Sequence, residues 1–365
     1  MTEHADETTF MGVERSVTGK WWRERANDER LATTIAQRFG VPEIVGRVMA
    51  ARGIDLDDAE SFLSPTLRDL MPDPSTLQDM DKAAARIADA IEAGEGIAVF
   101  GDYDVDGATS TALLKRFFRA IGVDVPVHIP DRMKEGYGPN APALLELQRK
   151  GAKLILTVDC GVTAYAPLQE ARDAGIDVIV VDHHAAEPEL PPAVAVVNPN
   201  RLDDESGLGH LCAAGVAFLV CVALLRELRN RGWLEKKGVR APDLRNWLDL
   251  VALGTVCDVV PLRGLNRAFV TQGLKVMKHR SNIGITSLAD IAGVNEVPSA
   301  YHLGYVLGPR VNAGGRVGES FLGATLLSGE NAAEAQDIAR RLDDYNRERK
   351  AIEDIVLDQA ISAVE

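Results

Sequence analysis

The apolar positions of this chain change rhythm near residue 81. Upstream, from Asp28 to about Asp81, the period is helical and the runs are short. LATTIAQRFG closes at Gly40 and VPEIVGRVMAARG at Gly53, glycine being a common residue just past a helix end. DDAESFL opens a third short helix, and residues 1–20 have no period and read as a loose tail. Downstream, AAARIADAIEAG is an amphipathic helix ending at Gly94. Five short apolar runs follow: IAVF (97–100), VPVHI (125–129), LILTV (154–158), VIVV (178–181) and VAVVN (194–198). Helical segments such as TALLKRFFRAIG and APALLELQRKG separate them, and a further helix runs through Ala174. This alternation predicts an α/β fold, a parallel β-sheet flanked by crossover helices.

After residue 200 the pattern turns helical. CAAGVAFLVCVALLRELRN reads as a buried helix, and DLRNWLDLVALGTVCDVVPL holds another whose end delivers Asp258. HLGYVLGPRVNAGGRVGE (302–319) reads as a Gly-rich loop. From 331 to 365 the chain reads as one long helix with a stripe at Ile338, Leu342, Tyr345, Ile352 and Val356. The expected division is a tail and small helical region (1–80), a main domain (81–330, with an α/β core over 81–200 and a more helical part over 201–330) and a connector helix (331–365).

In parallel sheets ligands bind beyond the carboxyl ends of the strands. Asp102, Asp104 and Asp106 follow the first strand, Asp159 the third, and Asp182, His183 and His184 the fourth. A lone aspartate there is usually a cap or a turn residue, and so would Asp258 be by itself. Three strand ends that all carry metal-type ligands are hard to explain by capping. Carboxylates and imidazoles bind Mn²⁺, Mg²⁺ and similar ions. Three aspartates within a few Å cannot all ionise without a cation to offset their repulsion. The inventory fits two divalent cations about 3.5–4 Å apart, a pair that clamps both oxygens of a phosphoryl displacement. Two histidines favour Mn²⁺ over Mg²⁺.

Other chemistries fit less well. DYDVDG opens like a calcium EF-hand loop, but the required twelfth-position glutamate is Leu113, and the motif follows a strand. An aspartyl-phosphate nucleophile of the haloacid-dehalogenase type also begins Asp-x-Asp after a strand, but Asp106 stands where Thr or Val is expected. Cys160 and Cys257 neighbour candidate ligands without the organised base a thiol nucleophile needs, and read as buried small residues.

Composition narrows the partners. At 365 residues two or three domains are expected, and 46% hydrophobic with 26% charged residues excludes wholesale disorder. No apolar run reaches the roughly 18 residues of a membrane span, and MTEHADETTF lacks the order of a signal peptide. Four cysteines without a Cys-x-x-Cys pair argue against disulfides and structural zinc, and for a reducing cytoplasmic setting. The net charge of −14 argues against a nucleic-acid partner if spread evenly. It is not: residues 226–316 hold 14 basic and 7 acidic residues, net +7, inside an otherwise acidic chain.

DYDVDG, VDCG, VDHH and GTVCDVVPL, in this order and spacing, resemble motifs I to IV of the DHH phosphoesterase superfamily. FGDYDVDG, PDRMKEGYG (130–138) and GPRVNAGGRVGE resemble its RecJ branch, from about residue 20 to the end. The resemblance implies a metal-dependent 5′→3′ exonuclease that hydrolyses single-stranded DNA to mononucleotides in repair and recombination. By that resemblance Asp102, Asp104 and Asp159 hold one ion. Asp106, Asp159, His183 and Asp258 hold the other, with Asp159 as the bridge. His184 faces the scissile phosphate, and Asp182 orients His183 or His184. Arg310, Asn312 and Arg316 would meet the strand, with Arg132, Lys134 and Tyr137 as weaker candidates. Single-stranded DNA is the implied partner, a single-strand-binding protein and a helicase are candidate partners, and a monomer is favoured. The superfamily's C-terminal substrate domain, with its Gly-Gly-Gly-His type motif, is not found, so a truncated chain is expected. Two rivals remain: a phosphatase or nanoRNase on short substrates, and a non-catalytic binding protein on the same fold. A dinucleotide against a long strand separates the first. A melting temperature unmoved by Mn²⁺ would favour the second.

Overall fold

The computed structural model describes residues 9, 13–23 and 28–364, so most of the proposed tail lies outside the described residues. The chain forms two compact units, Met1–Leu70 and Met71–Glu365. In the first, α1 (Glu29–Phe39) starts where the Asp28 carboxylate accepts from the Leu31 N–H at 2.8 Å and stops at Gly40 in the left-handed conformation. Helices α2 (Glu43–Ala51), α3 (Ala59–Leu63) and α4 (Leu67–Leu70) complete it around Ile35, Met49, Ile54 and Ala59.

The second unit holds the sheet. Helix α5 (Met80–Ala93) leads to β1 (Gly96–Gly101), α6 (Val105–Ala120), β2 (Val127–His128) and α7 (Ala141–Arg149). Then come β3 (Ala152–Val158), α8 (Tyr165–Asp173), β4 (Asp177–Val181) and β5 (Ala195–Val197). All pairings are parallel, in the order β2-β1-β3-β4-β5. The strands are apolar on both sides because helices cover both faces. On one face Phe100, Ile155, Val180 and Val196 pack against Leu144 and Leu147 of α7 and Leu168 of α8. Helix α6, buried along most of its length, packs on β1 and also against the helical half of the unit.

Register positions the site. Gly101 pairs with Val158, Val158 with Val181, and Val181 with Val197. The next residue on each strand is therefore Asp102, Asp159, Asp182 and Asn198, a row across the sheet's carboxyl edge. Strand order reverses at β1 and β3, the topological switch point where open α/β sheets bind ligands.

The helical half comprises α9 (Ala213–Asn230), α10 (Trp233–Lys237), α11 (Leu248–Cys257), α12 (Gly264–Met277) and α13 (Ile283–Ile291). A π-helical turn (His302–Leu307), α14 (Gly308–Val317), α15 (Leu322–Ser328) and α16 (Ala332–Val364) follow. The Gly-rich loop expected over 302–319 is instead nearly continuous helix. Its glycines serve close packing rather than flexibility. A Cβ on Gly315 would lie 2.7 Å from the Tyr103 carbonyl oxygen, so only glycine lets α14 approach the turn after β1 this closely. On α16 the expected stripe is buried at Ile338 and Leu342, whereas Ile352 and Val356 are exposed.

Candidate metal centre

The turn after β1 carries three aspartates with distinct surroundings. Asp104 caps α6, its Oδ1 accepting from the Gly107 N–H at 3.0 Å. Asp106 lies in the first turn of α6, and its carboxylate accepts from Ala213 N–H (2.6 Å) and Ala214 N–H (3.0 Å) at the start of α9. Asp102 is buried, and its Oδ1 finds no hydrogen-bond partner among the described residues. Asp159 follows β3 with a positive φ of 61°, its N–H donating to the Val181 carbonyl at 3.0 Å. Asp258 caps the carboxyl end of α11.

These side chains converge. Asp102, Asp104 and Asp159 each present a carboxylate oxygen within 4.8 Å of the others. Asp106, His183 and Asp258 form a second such set, and Asp159, His183 and His184 a third. His183 Nε2 lies 3.2 Å from Asp159 Oδ1 and 3.7 Å from Asp106 Oδ2, while its Nδ1 lies 3.7 Å from Asp258 Oδ2. His183 Nε2 and Asp258 Oδ2 are buried without a hydrogen-bond partner among the described residues. Buried polar atoms without partners are costly and rare. Here three of them, with Asp102 Oδ1, belong to residues of these sets, which is what cation ligands look like before the cation is added. Oxygen-rich sets with one or two imidazoles suit Mn²⁺ and Mg²⁺, so the residues present fit divalent cations.

The electrostatics agree. Burial, with Asp104 adding to it, pushes Asp102 up to about 7. Burial, Asp258 and Asp104 push Asp106 up to about 8. Burial and the surrounding carboxylates hold Asp159 well above the usual range, and burial with Asp104 lifts Asp258 to about 6. Each of these carboxyls is pushed toward its neutral form, and a cation would act in the opposite direction.

The two histidines differ. Burial and the neighbouring His184 keep His183 below the ordinary imidazole value. His184 is half exposed, and its Nδ1 meets Asp182 Oδ1 at 2.7 Å, a hydrogen bond that raises its pKa against the opposing effect of burial. Asp182 therefore orients the ring of His184 rather than that of His183. It also accepts from both histidine N–H groups, at 2.7 and 3.2 Å, and from Val162 N–H at 3.0 Å. Burial opposes ionisation of Asp182, but these bonds outweigh it and hold the carboxyl below its usual range.

Sequence reasoning missed three supports. Asn198 Nδ2 donates to the His184 carbonyl at 2.9 Å, and Asn200 Nδ2 to the His183 carbonyl at 2.5 Å. The signal was Asn198 following β5 in the same row as the aspartates. Tyr103 forms a wall beside the rim: its ring lies edge-on to Tyr137 at 6.5 Å, with Arg132 5.3 Å above its face. Tyr137 donates from its hydroxyl to the Asp159 carbonyl at 3.2 Å and sits edge-on to His184 at 6.1 Å.

The expected strand-binding residues separate. Arg316 is exposed, near enough to Tyr103 to act on it electrostatically, and Asn312 Oδ1 accepts from the Val105 N–H at 3.2 Å. Arg310 is placed otherwise than an open phosphate ligand would be: its Nε meets Asp343 Oδ1 of α16 at 2.9 Å, and its other fork donates to the Val306 carbonyl at 2.7 Å. Lys134 is tied to Asp131 at 2.7 Å. Cys160 and Cys257 are kept protonated by burial.

A parallel sheet with an acid-and-histidine rim at its switch point is the architecture of the DHH phosphoesterases, and residues 96–255 match the DHH family, N-terminal domain. Within that class the chain belongs to the RecJ family. It is 39% identical over 318 residues to the single-stranded-DNA-specific exonuclease RecJ of Salmonella typhimurium, covering 86% of this chain and 54% of that one. It is 35% identical to the Bacillus subtilis RecJ over 347 residues, or 94% and 42%. The chain spans about half the length of the curated relatives it matches. Among solved structures it resembles exonuclease RecJ bound to manganese, with 38% identity and a TM-score of 0.68 over 80% of this chain and 70% of that one. Thermus thermophilus RecJ in complex with Mn²⁺ matches with 32% identity and a TM-score of 0.75 over 92% and 46%.

Proposed function

We propose that this chain carries the catalytic centre of a divalent-metal-dependent 5′→3′ exonuclease that hydrolyses single-stranded DNA to mononucleotides. The observation that carries this reading is the convergence of three ligand sets, Asp159 and His183 each belonging to two of them, with orphaned atoms on Asp102, His183 and Asp258. Asp102, Asp104 and Asp159 would hold one cation. Asp106, His183 and Asp258, with Asp159 shared, would hold the other. Mn²⁺ suits this imidazole-containing set better than Mg²⁺. When bound, the cations supply Lewis-acid polarisation of the phosphate and a low-pKa water.

The chain's own groups do the rest. His184, oriented by Asp182 and raised in pKa by that hydrogen bond, donates toward the non-bridging phosphate oxygens as charge builds on them. Arg316, exposed to solvent, pairs with backbone phosphates in this reading, and Asn312 secures α14 to the turn that carries Asp104 and Asp106. Arg132 and Tyr137 line the approach, and Arg310 helps by holding α14 to α16. Among the described residues no helix is long and apolar enough to cross a membrane. Free cysteines suit a cytoplasmic setting. A single-strand-binding protein and a helicase are the partners such an activity would meet, with the chain acting as a monomer.

Mn²⁺-dependent release of mononucleotides from 5′- and 3′-labelled single strands tests this reading. Asp159→Ala should abolish it. Release that persists unchanged in that variant, or begins at the 3′ end, would overturn the assignment.

A further inference from the structure

Two exposed tyrosines, one just before the π-helical turn and one on it, have no part in the site described so far. Tyr301 and Tyr305 are 63% and 75% exposed, yet their rings stack with centroids 5.3 Å apart and planes 25° apart. The pair is braced from behind. His302 meets Tyr301 edge-on at 5.8 Å. The Ser299 N–H donates to His302 Nδ1 at 3.1 Å, so the ring proton sits on Nε2, which faces Glu296 Oε1 at 3.1 Å. Both nitrogens of the bracing ring are thus engaged.

The turn itself is fixed to the helix that delivers Asp258. Cys257 Sγ lies 3.4 Å from the Leu303 carbonyl oxygen, and a Cβ on Gly308 would fall 2.4 Å from that sulfur. Only glycine permits the approach. Downstream the same helical run carries Asn312, bonded to the catalytic turn at Val105, and then exposed Arg316. From Tyr305 to Asn312 the helix advances by about 10 Å, at about 1.5 Å per residue. π-helical segments are frequent at functional sites. A water-exposed, stacked aromatic face on the helical run that also carries Asn312 and Arg316, within the basic block of the sequence, matches the chemistry of an unpaired base.

We propose that Tyr301 and Tyr305 form a stacking platform for a base of the single strand whose phosphate lies at the metal centre. This rests on the exonuclease reading. Every base has a π-face, so such a platform tolerates any sequence. A duplex buries those faces within its own stack, so the platform favours unpaired strands.

The test is oligonucleotide binding by anisotropy in EDTA, where no hydrolysis occurs, using intact strands and strands with abasic positions near the 5′ end. Tyr301→Ala and Tyr305→Ala should each weaken binding of the intact strand by about tenfold, and Tyr305→Phe should restore it. Wild type should lose a similar factor on the best-placed abasic strand, and the alanine variants should lose little more. Unchanged binding in both alanine variants overturns the platform. Equal losses on intact and abasic strands also overturn it, by making the effect one of backbone contact or folding. So does a changed association state in sedimentation with DNA affinity intact, which would make the patch a protein interface. Mn²⁺-dependent release of mononucleotides from a saturating 5′-labelled single strand by the wild-type protein, lost in Asp159→Ala, reports separately on the exonuclease reading.

Discussion

The second unit buries carboxylates in two places that look alike by burial alone. At the sheet rim Asp102, Asp106 and Asp159 are buried and their pKa values raised. In the first turn of α11, Asp249 is equally buried, and burial pushes it up to about 6. The surroundings separate them. Asp249 stands alone, its Oδ1 accepting from the Leu250 N–H at 2.9 Å and the Arg116 guanidinium providing a partial counter-charge. The rim acids face one another and two imidazoles, with orphaned atoms among them. Burial with a raised pKa therefore does not mark a site by itself. Convergence of several such groups on one space does, because only a cation relieves all of them together.

The comparison breaks if the two places respond alike. The largest expected effect is at Asp159, the proposed bridge: Asp159→Asn should lower hydrolysis by at least about 10³-fold, whereas Asp249→Asn should leave kcat within a factor of two or so. A Mn²⁺ titration of the melting temperature gives the same contrast without turnover. Wild type and Asp249→Asn should both gain about 2–3 kcal/mol at 100 times the dissociation constant, and Asp159→Asn should gain much less. Equal gains in all three would remove the cation from the rim. A smaller effect is expected one position back from the ligands. Asp182→Asn keeps the space filled but weakens the hydrogen bond that orients His184 and raises its pKa, so kcat should fall about 10²-fold with Mn²⁺ affinity nearly unchanged. A matching loss of Mn²⁺ affinity would show that Asp182 acts through His183 instead.

Much of this was legible in the residues because it depends on short-range rules. The five apolar runs became the five strands within two residues at each end, and alternation with helices forced them parallel. The rim followed from topology alone, since any residue just after a parallel strand lands on the same edge. What stayed hidden depends on register and packing. The row Asp102, Asp159, Asp182, Asn198 needs the pairing of Gly101 with Val158, of Val158 with Val181 and of Val181 with Val197, which no local pattern shows. The 302–319 stretch was misread because glycine has two uses. A glycine-rich stretch reads as a loop, but Gly308 and Gly315 sit in helix where a neighbouring sulfur or carbonyl leaves no room for a Cβ. Arg310 was misjudged for a related reason: its partner Asp343 lies 33 residues away, on a helix whose docking the sequence does not reveal.

The smallest expected effect concerns stability and sharpens the contrast from the other side. Asp249 titrates near 6 when folded, against a reference value of 3.8. A raised folded pKa means that stability is greatest below the unfolded value and is lost as pH rises through the folded one. Above pH 6 the folded chain must ionise a buried carboxyl, a penalty of about 2–3 kcal/mol at most. Asn at this position can still accept from the Leu250 N–H and carries no charge. Asp249→Asn should therefore be more stable than wild type at pH 8 in denaturant titration, with the advantage shrinking between pH 6 and 4 and gone below. The same curve measured with and without Mn²⁺ should show the same Asp249→Asn increment, because Asp249 belongs to none of the rim's ligand sets. An increment that disappears when Mn²⁺ is added would tie Asp249 to the rim and dissolve the distinction between the two places.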